Sequence, residues 1–326
     1  MRSVLAALCL ALAMPGFAPS AAADPALVYS VGGKFDRSFN EAAYTGAEAW
    51  KRETGGSYGE FEIDSPVQSE QALRNFARKG YSPVVAIGFM HADALARVAP
   101  DYPDTRFAII DMVVPGENVQ SVVYREQEGA YVVGVMAAMA SRSGKIGFVG
   151  GMDIPLIRRF ACGYAQGISA AQPGAELFVA MAGDTPAAWS DPARGAELAR
   201  AQIDRGADVV MQAAGGTGTG VLQAAADAGV LGIGTDSNQN GLHPGQVLTS
   251  MLKRVDVAVM RAFSGWRPGV TSLGLAEGGV GYAMDADNAA LVTPQIRAAA
   301  KRASADIVSG AVKVIDHAGP GPCPFP

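Results

Sequence analysis

Short, almost continuously apolar segments alternate with helical segments along most of this chain, and this alternation limits its fold more than any other feature. One series starts at "ALVYSVGG" (26–33), followed by a predicted helix over 39–53, and the pattern starts again at "KIGFVGGMD" (145–153). Apolar runs of this kind are typical of parallel strands, because crossover helices bury both faces of the sheet. The sequence therefore predicts an α/β protein with two similar lobes.

The first 23 residues read as a secretory signal peptide. Arg2 supplies the positive start, "VLAALCLALAM" the apolar stretch, and "SAAADP" a small-residue cleavage site after Ala23. Cys9 lies inside the apolar stretch rather than after it, which favours soluble export over a lipid anchor. No later segment reaches about 18 uninterrupted apolar residues. We therefore predict a periplasmic protein whose net charge changes from -5 to -6 when Arg2 is removed.

Several functional classes are disfavoured by residue usage. Basic residues form no runs, so a nucleic-acid partner is not expected. Three histidines without ligand spacing argue against a metal, and no cofactor is predicted. There is no G-x-S-x-G motif, and the chain is predicted not to be an enzyme. Cys162 and Cys323 would meet an oxidising compartment, where they form either a disulfide or two free thiols.

Ligands of parallel sheets bind beyond the carboxyl ends of the strands, and clefts between domains are common binding sites. The turn "AAGGTGTG" contains Gly216, Thr217 and Gly218 but fits neither the dinucleotide nor the phosphate-loop pattern. It either lets a ligand approach the backbone closely or is a structural turn. Asp236 in "GTDSNQN" could accept hydrogen bonds from a sugar diol or serve as a turn residue.

Two further residues have competing interpretations. Lys253 ends the apolar segment "VLTSMLK" and either points into a cleft or is a solvated charge. Trp189 precedes a predicted helix and either stacks on an aromatic ligand or packs a hinge.

Six segments resemble the basic membrane protein family, the substrate-binding proteins of ATP-driven importers that include purine nucleoside receptors. The most specific are "GGMDIPLIRRF" and "AGGTGTGV", and the similarity runs from about residue 26 to residue 283. The resemblance implies the type I periplasmic-binding fold, with two Rossmann-like lobes and a hinge. We place the first lobe at 24–142 with about 247–268, and the second at 143–246 with about 269–326.

The resemblance also implies roles for individual residues. Phe39 would form one wall for a base, Asp236 and Lys253 would meet ribose hydroxyls, and Trp189 is our choice for the second wall. The complete set of predicted ligand contacts is Ser30, Asp36, Phe39, Asn40, Phe89, His91, Trp189, Gly216, Thr217, Gly218, Asp236 and Lys253.

One departure from the family pattern bears on the ligand. Relatives commonly have "YD-x-GG" at the first strand end, where the Asp binds the base edge, whereas this chain has Ser30. The next strand end, "GFMHAD", brings Met90 and His91 where relatives often have small or amide residues. The ribose end is therefore expected to be kept and the base end to be altered.

We expect a monomeric periplasmic solute-binding protein that captures a nucleoside, or another ribose-bearing or heterocyclic ligand, by closure of its lobes. It would deliver this ligand to the membrane permease of an ABC importer. The alternatives are a nucleoside-processing enzyme on the same scaffold, for which His91 with Asp93 is the candidate acid–base pair, and a sensor subunit that presents ligand to a receptor.

Overall fold

The computed structural model describes residues 23–319 and Cys323, so the predicted signal peptide lies almost entirely outside the described residues. The strands are β1 Ala26–Tyr29, β2 Gly59–Glu62, β3 Val84–Ala86, β4 Phe107–Ile110, β5 Val119–Tyr124, β6 Lys145–Met152, β7 Glu176–Gly183, β8 Val209–Ala213, β9 Leu231–Asp236, β10 Val247–Lys253, β11 Gly269–Leu273 and β12 Val280–Tyr282. The α-helices are α1 Phe39–Thr54, α2 Ser69–Arg78, α3 Ala92–Val98, α4 Glu126–Ala140, α5 Pro155–Ala171, α6 Pro192–Asp204, α7 Thr217–Asp227, α8 Val255–Gly265 and α9 Pro294–Ser309.

The described strands form two six-stranded sheets, as the two series in the sequence predict. The first sheet has the order β11-β5-β4-β3-β1-β2, with every pair parallel. The second has the order β12-β10-β9-β8-β6-β7, in which β12 alone runs antiparallel to its neighbour. Central strands such as β1 and β8 are buried along their whole length, because helices cover both faces of each sheet.

The chain crosses between the lobes three times, and the crossings lie at three strand ends. The first follows β5 at Arg125, the second follows β10 at Arg254, and the third follows β11 through the segment 274–279. Backbone hydrogen bonds join them: Arg125 N donates to Leu273 O over 3.0 Å, and Arg254 N donates to Gly279 O over 2.8 Å. These three connections form the hinge between the lobes.

The predicted lobe boundaries are wrong at each crossing. Helix α4 was assigned to the first lobe but packs against α5 and α9 of the second. Strand β10 was also assigned to the first lobe, yet it pairs with β9 and β12. Strand β11 was assigned to the second lobe, yet it pairs with β5. Both lobes are built from the same alternation of strand and helix, so periodicity alone does not say which sheet a segment joins.

Glycines explain why α4 belongs to the second lobe. A Cβ at Gly163 on α5 would lie 2.5 Å from the carbonyl oxygen of Gln127 on α4, and one at Gly167 would lie 2.0 Å from that of Tyr131. The two helices therefore approach closely enough that only glycine fits at these positions. This close packing fixes α5, whose first turns line the cleft.

The C-terminal segment lies along α5. Cys323 is joined to Cys162 by a disulfide, which settles the alternative left open by the sequence in favour of the pair. The Gln166 side chain accepts a hydrogen bond from Ile315 N over 2.8 Å and donates one to the carbonyl oxygen of Ile315. Arg159 forms an ion pair with Asp316. None of the helices in the described part of the chain is both long and apolar enough to span a bilayer.

Candidate functional site

A cavity lies between the two lobes, at the carboxyl ends of both sheets. The first lobe lines it with residues that follow β1, β3 and β4, and the second with residues from the start of α5 and the ends of β8, β9 and β10. This is the place where parallel sheets bind ligands. Eight of the twelve predicted contacts line the cavity: Ser30, Asp36, Phe39, Asn40, Phe89, Trp189, Asp236 and Lys253.

Strand order divides the cavity into two chemically different ends. The ends of β4, β9 and β10 lie toward the hinge and bring Asp111, Asp236 and Lys253 together. The ends of β1 and β3, with the start of α5, lie on the other side and contribute mainly apolar side chains, among them Met90 and Leu156. We call these the charged end and the apolar end.

Lys253 is the centre of the charged end. Its Nζ lies 2.7 Å from the carboxylate of Asp111 and 3.1 Å from Oε1 of Glu126, the first residue of α4. It also lies 5.0–5.7 Å from the ring centroids of Tyr124, Phe39 and Phe160. Lys253 is 1% exposed, so the interpretation of this residue as a solvated charge is wrong.

The buried carboxylates around Lys253 hold their protons more strongly than usual. Burial raises the pKa of Asp111 and of Asp236, although the charge of Lys253 opposes the shift. Burial raises the pKa of Glu126 to about 7, again against the attraction of Lys253. For Lys253 itself burial would lower the pKa, but Asp111 and Glu126 together raise it above its usual value. The lysine therefore stays charged, whereas the carboxyl groups around it keep their protons to a higher pH than usual.

We expect Glu126→Gln to remove part of the pH dependence of stability. The unfolded chain loses the Glu126 proton near pH 4.5 and the folded protein near pH 7, so stability falls as pH rises through this window. Glutamine keeps the shape and cannot ionise, so the decline should be smaller, with the variant more stable at pH 8 by up to about 3 kcal/mol. Urea unfolding from pH 5 to pH 8 measures this. Glu117→Gln, at an exposed position, is the control; parallel wild-type and Glu126→Gln profiles would contradict the assignment.

Asp236 and Asp111 share an unusual backbone geometry. Their φ angles are +69° and +71°, in the left-handed region that non-glycine residues rarely adopt. Such positions persist where the surrounding structure holds them, and they are frequent at binding sites. Oδ2 of Asp236 accepts a hydrogen bond from Ser38 Oγ over 2.6 Å, a contact between the lobes. Asp236 is thus positioned by the opposite lobe as well as by its own strand.

Asp36 and Asn40 line the cavity but already have protein partners. The Asp36 carboxylate accepts hydrogen bonds from the backbone N–H groups of Ser38, Asn40 and Glu41, which satisfies the first turn of α1. Burial raises its pKa to about 7 in spite of these donors. The Asn40 amide bonds both backbone groups of Ser30 and the carbonyl of Gly33. Asn40 therefore holds the chain after β1 in place, and Asp36 holds the start of α1.

The structure keeps four of the predicted contacts away from the cavity lining. The His91 ring is fully buried beneath it, with Nδ1 2.9 Å from Ser69 Oγ, and burial lowers the pKa of His91 to about 4. Helix α7 begins at Thr217, so Thr217 and Gly218 belong to its first turn. Gly216 precedes that turn, and it is Gly215 that lines the cavity.

The aromatic side chains come from both lobes. Phe39 and Phe89 belong to the first lobe, Trp189 and Phe160 to the second, and the rings of Phe89 and Trp189 meet at a centroid distance of 6.4 Å. Sequence reasoning missed Asp111, Glu126 and Phe160. In the segment "RFAIIDMVV" the apolar run "FAII" is followed directly by an Asp, and this was a usable signal for Asp111. Phe160 and Glu126 are helical residues whose position in the site depends on how α5 and α4 pack. The described residues contain no cluster of His, Cys, Asp and Glu that could hold a metal ion.

Comparison with known proteins agrees with this architecture. The profile of a family described as "ABC transporter substrate-binding protein PnrA-like" matches residues 25–314. A protein named ABC transporter nucleoside-binding protein BmpA from Lactococcus lactis is 33% identical, over 89% of this chain and 88% of that protein. One named an uncharacterised lipoprotein from Pyrococcus furiosus is 36% identical, over 79% of this chain and 69% of that protein.

Solved structures point the same way. A crystal structure of ABC transporter solute-binding proteins from Aeropyrum pernix superposes with a TM-score of 0.81 at 29% identity, covering 90% of this chain and 93% of that one. The fold is the type I periplasmic-binding fold, as the resemblance in the sequence implied. The chain belongs to the PnrA-like family of ABC transporter substrate-binding proteins.

Proposed function

We propose that this protein captures a nucleoside, or a closely related ribose-bearing heterocycle, and delivers it to the permease of an ABC importer. The observation that most supports this is that buried carboxylates and aromatic rings line the same interlobe cavity. Ribose hydroxyls are donors that suit Asp236 and Asp111, and a planar base suits the rings of Phe39 and Trp189. A relative that covers most of the chain is named a nucleoside-binding protein.

Binding would act through closure of the lobes. Hydrogen bonds bridge the cleft: Ser38 Oγ donates to Asp236 Oδ2 over 2.6 Å, Ser237 Oγ donates to Ser38 O over 2.6 Å, and Gln239 Nε2 donates to Arg37 O over 2.8 Å. A ligand that touches both lobes favours the arrangement in which these contacts form. The closed form is the one that we propose is recognised by the permease. Export through the signal peptide would place a monomeric protein in the periplasm.

Of the eight predicted contacts that line the cavity, six remain our proposed ligand contacts: Ser30, Phe39, Phe89, Trp189, Asp236 and Lys253. Asp111 and Phe160 are added to them. Asp36 and Asn40 are now proposed to support the site through their bonds to the backbone. His91 and residues 216–218 are now proposed to support the site from behind. The alternative of a nucleoside-processing enzyme depended on His91, whose ring lies outside the cavity lining, so we do not propose it.

A ligand panel tests the function. Calorimetry of the exported form with ribonucleosides, deoxyribonucleosides, free bases and ribose should show binding that requires the ribose. Analysis of the same mixtures by chromatography should recover the nucleosides intact. Binding of free bases alone, or steady release of base, would contradict the proposal.

We expect Ser30→Asp to shift preference toward nucleosides whose base presents a ring N–H. Ser30 is 6% exposed and lies at the apolar end, so a carboxylate there would supply a charged acceptor in place of the Ser30 hydroxyl. A gained charge-assisted hydrogen bond is worth about 1.5–3 kcal/mol, or roughly tenfold or more in affinity for inosine or guanosine. Calorimetry of both proteins against the same panel measures the shift. An unchanged ranking of ligands would show that residue 30 does not contact the base.

A further inference from the structure

The apolar end of the cavity contains few polar side chains that are free to bind a ligand. Met90, Leu156 and Ile157 are apolar, and the Asp36 carboxylate is taken up by three backbone N–H groups. What remains is the hydroxyl of Ser30 and the indole of Trp189. A hydroxyl can donate or accept, whereas an indole N–H can only donate.

Trp189 is held in one orientation by glycines. A Cβ at Gly151 on β6 would lie 2.4 Å from Cζ3 of the indole, and one at Gly215 would lie 3.7 Å from Cε3. The benzene edge of the ring therefore rests against the second sheet. Nε1 lies on the opposite edge of the indole. The backbone carbonyl of Trp189 faces Gly32 and Gly216, which keeps the residue between the lobes.

The indole N–H of Trp189 has no hydrogen-bond partner among the described residues, although the atom is buried. An unpaired buried donor is costly, and native structures rarely keep one without a use. Its ring lines the cavity opposite Phe89 of the other lobe. A ligand in the cavity is therefore the partner that would satisfy it.

We propose that Trp189 Nε1–H donates a hydrogen bond to a carbonyl oxygen on the heterocycle of the ligand. This inference rests on the proposed function and names its substrate class: ribosides whose base presents a carbonyl, such as uridine and inosine, over those with an amino group at the same place. An exocyclic amino group in this position would place its own N–H donor next to the indole N–H donor, and no hydrogen bond could form between the two. The Ser30 hydroxyl is the one acceptor left among the side chains named above, and it cannot remove this opposition of two donors at the indole.

Matched pairs of ligands test this. Uridine and cytidine differ by the exchange of a carbonyl and its neighbouring ring N–H for an amino group and an unprotonated ring nitrogen, as do inosine and adenosine, so the test compares the ratio between proteins. Calorimetry of the wild-type protein should give at least tenfold tighter binding for the carbonyl member of a pair. In Trp189→Phe, which keeps an aromatic wall without the N–H, that ratio should fall to within about threefold. Loss of stacking weakens both members of a pair, so the ratio isolates the hydrogen bond.

A second variant controls for repacking of the cavity around the smaller phenyl ring of Trp189→Phe. Benzothienylalanine at position 189 keeps the bicyclic shape and replaces only the N–H, and it should lower the ratio as Trp189→Phe does. Ribosides that bind with the same ratio in all three proteins would overturn this inference and leave the proposed function standing. No binding by any riboside would overturn both. A ratio that falls in both variants supports the assignment.

Discussion

Asp236→Asn is expected to weaken riboside binding by about 10²- to 10⁴-fold, because two hydroxyl donors would lose a buried carboxylate acceptor. Each charge-assisted hydrogen bond contributes about 1.5–3 kcal/mol. Asparagine is the right replacement because it tolerates the left-handed backbone at this position, where φ is +69°. Alanine would add backbone strain and so mix loss of stability with loss of binding. Calorimetry with a riboside that binds the wild-type protein measures the effect.

The Asp236 experiment needs a charge-matched control. Asp204→Asn removes the same charge at an exposed position at the end of α6 and should leave affinity unchanged. Thermal unfolding of both variants without ligand shows whether Asp236→Asn is folded. A folded Asp236→Asn protein with wild-type affinity would refute the role of this residue in ribose recognition.

Lys253→Met is expected to destabilise the protein by about 3–5 kcal/mol at pH 8, because removing one member of a buried ion pair leaves uncompensated charge. Asp111 and Glu126 would lose the ammonium group that lies 2.7 Å and 3.1 Å from them. Methionine keeps a similar stem against Phe39 and Tyr124, so lost packing contributes little. Urea unfolding measures the loss.

The pH dependence distinguishes charge from packing in Lys253→Met. Without the lysine, the pKa values of both carboxyl groups rise further, so the folded state binds more protons than the unfolded state over a wider range. The deficit should therefore shrink as pH falls from 8 to 5. The double variant Lys253→Met/Glu126→Gln should recover part of the stability at pH 8. Lys301→Met, on the exposed face of α9, should change little; a deficit independent of pH would contradict the ion-pair explanation.

The fold class could be predicted because it depends on local patterns. Apolar segments such as β1 and β8 predict buried strands, and the start of a second series at β6 predicts a second sheet. Lobe membership could not be predicted in the same way. Strand β11 joins the first sheet and β10 the second by long-range pairing, and the local pattern of neither segment shows which sheet it joins.

In the candidate site, too, some residues could be predicted from local patterns and others depended on long-range packing. Asp236 and Lys253 were candidates because they end strands at the carboxyl edge of a parallel sheet, and the family resemblance favoured a site role for both. Glu126 was not, because its proximity to Lys253 depends on α4 packing against the second lobe. His91 follows a strand end too, yet its ring turns beneath the cavity toward Ser69.

The sequence alone determined the two α/β lobes and the edge of each sheet where a ligand would lie. These features follow from residue type and spacing, which act over one or two turns of chain. Only the tertiary structure decided which segment joins which lobe, and that Lys253 is neutralised by Asp111 and Glu126. It also decided that the indole N–H of Trp189 is buried without a partner among the residues that the structure describes. The reason is that burial and pairing of polar groups are set by contacts between segments far apart in the chain, and these contacts leave no periodic signal in it.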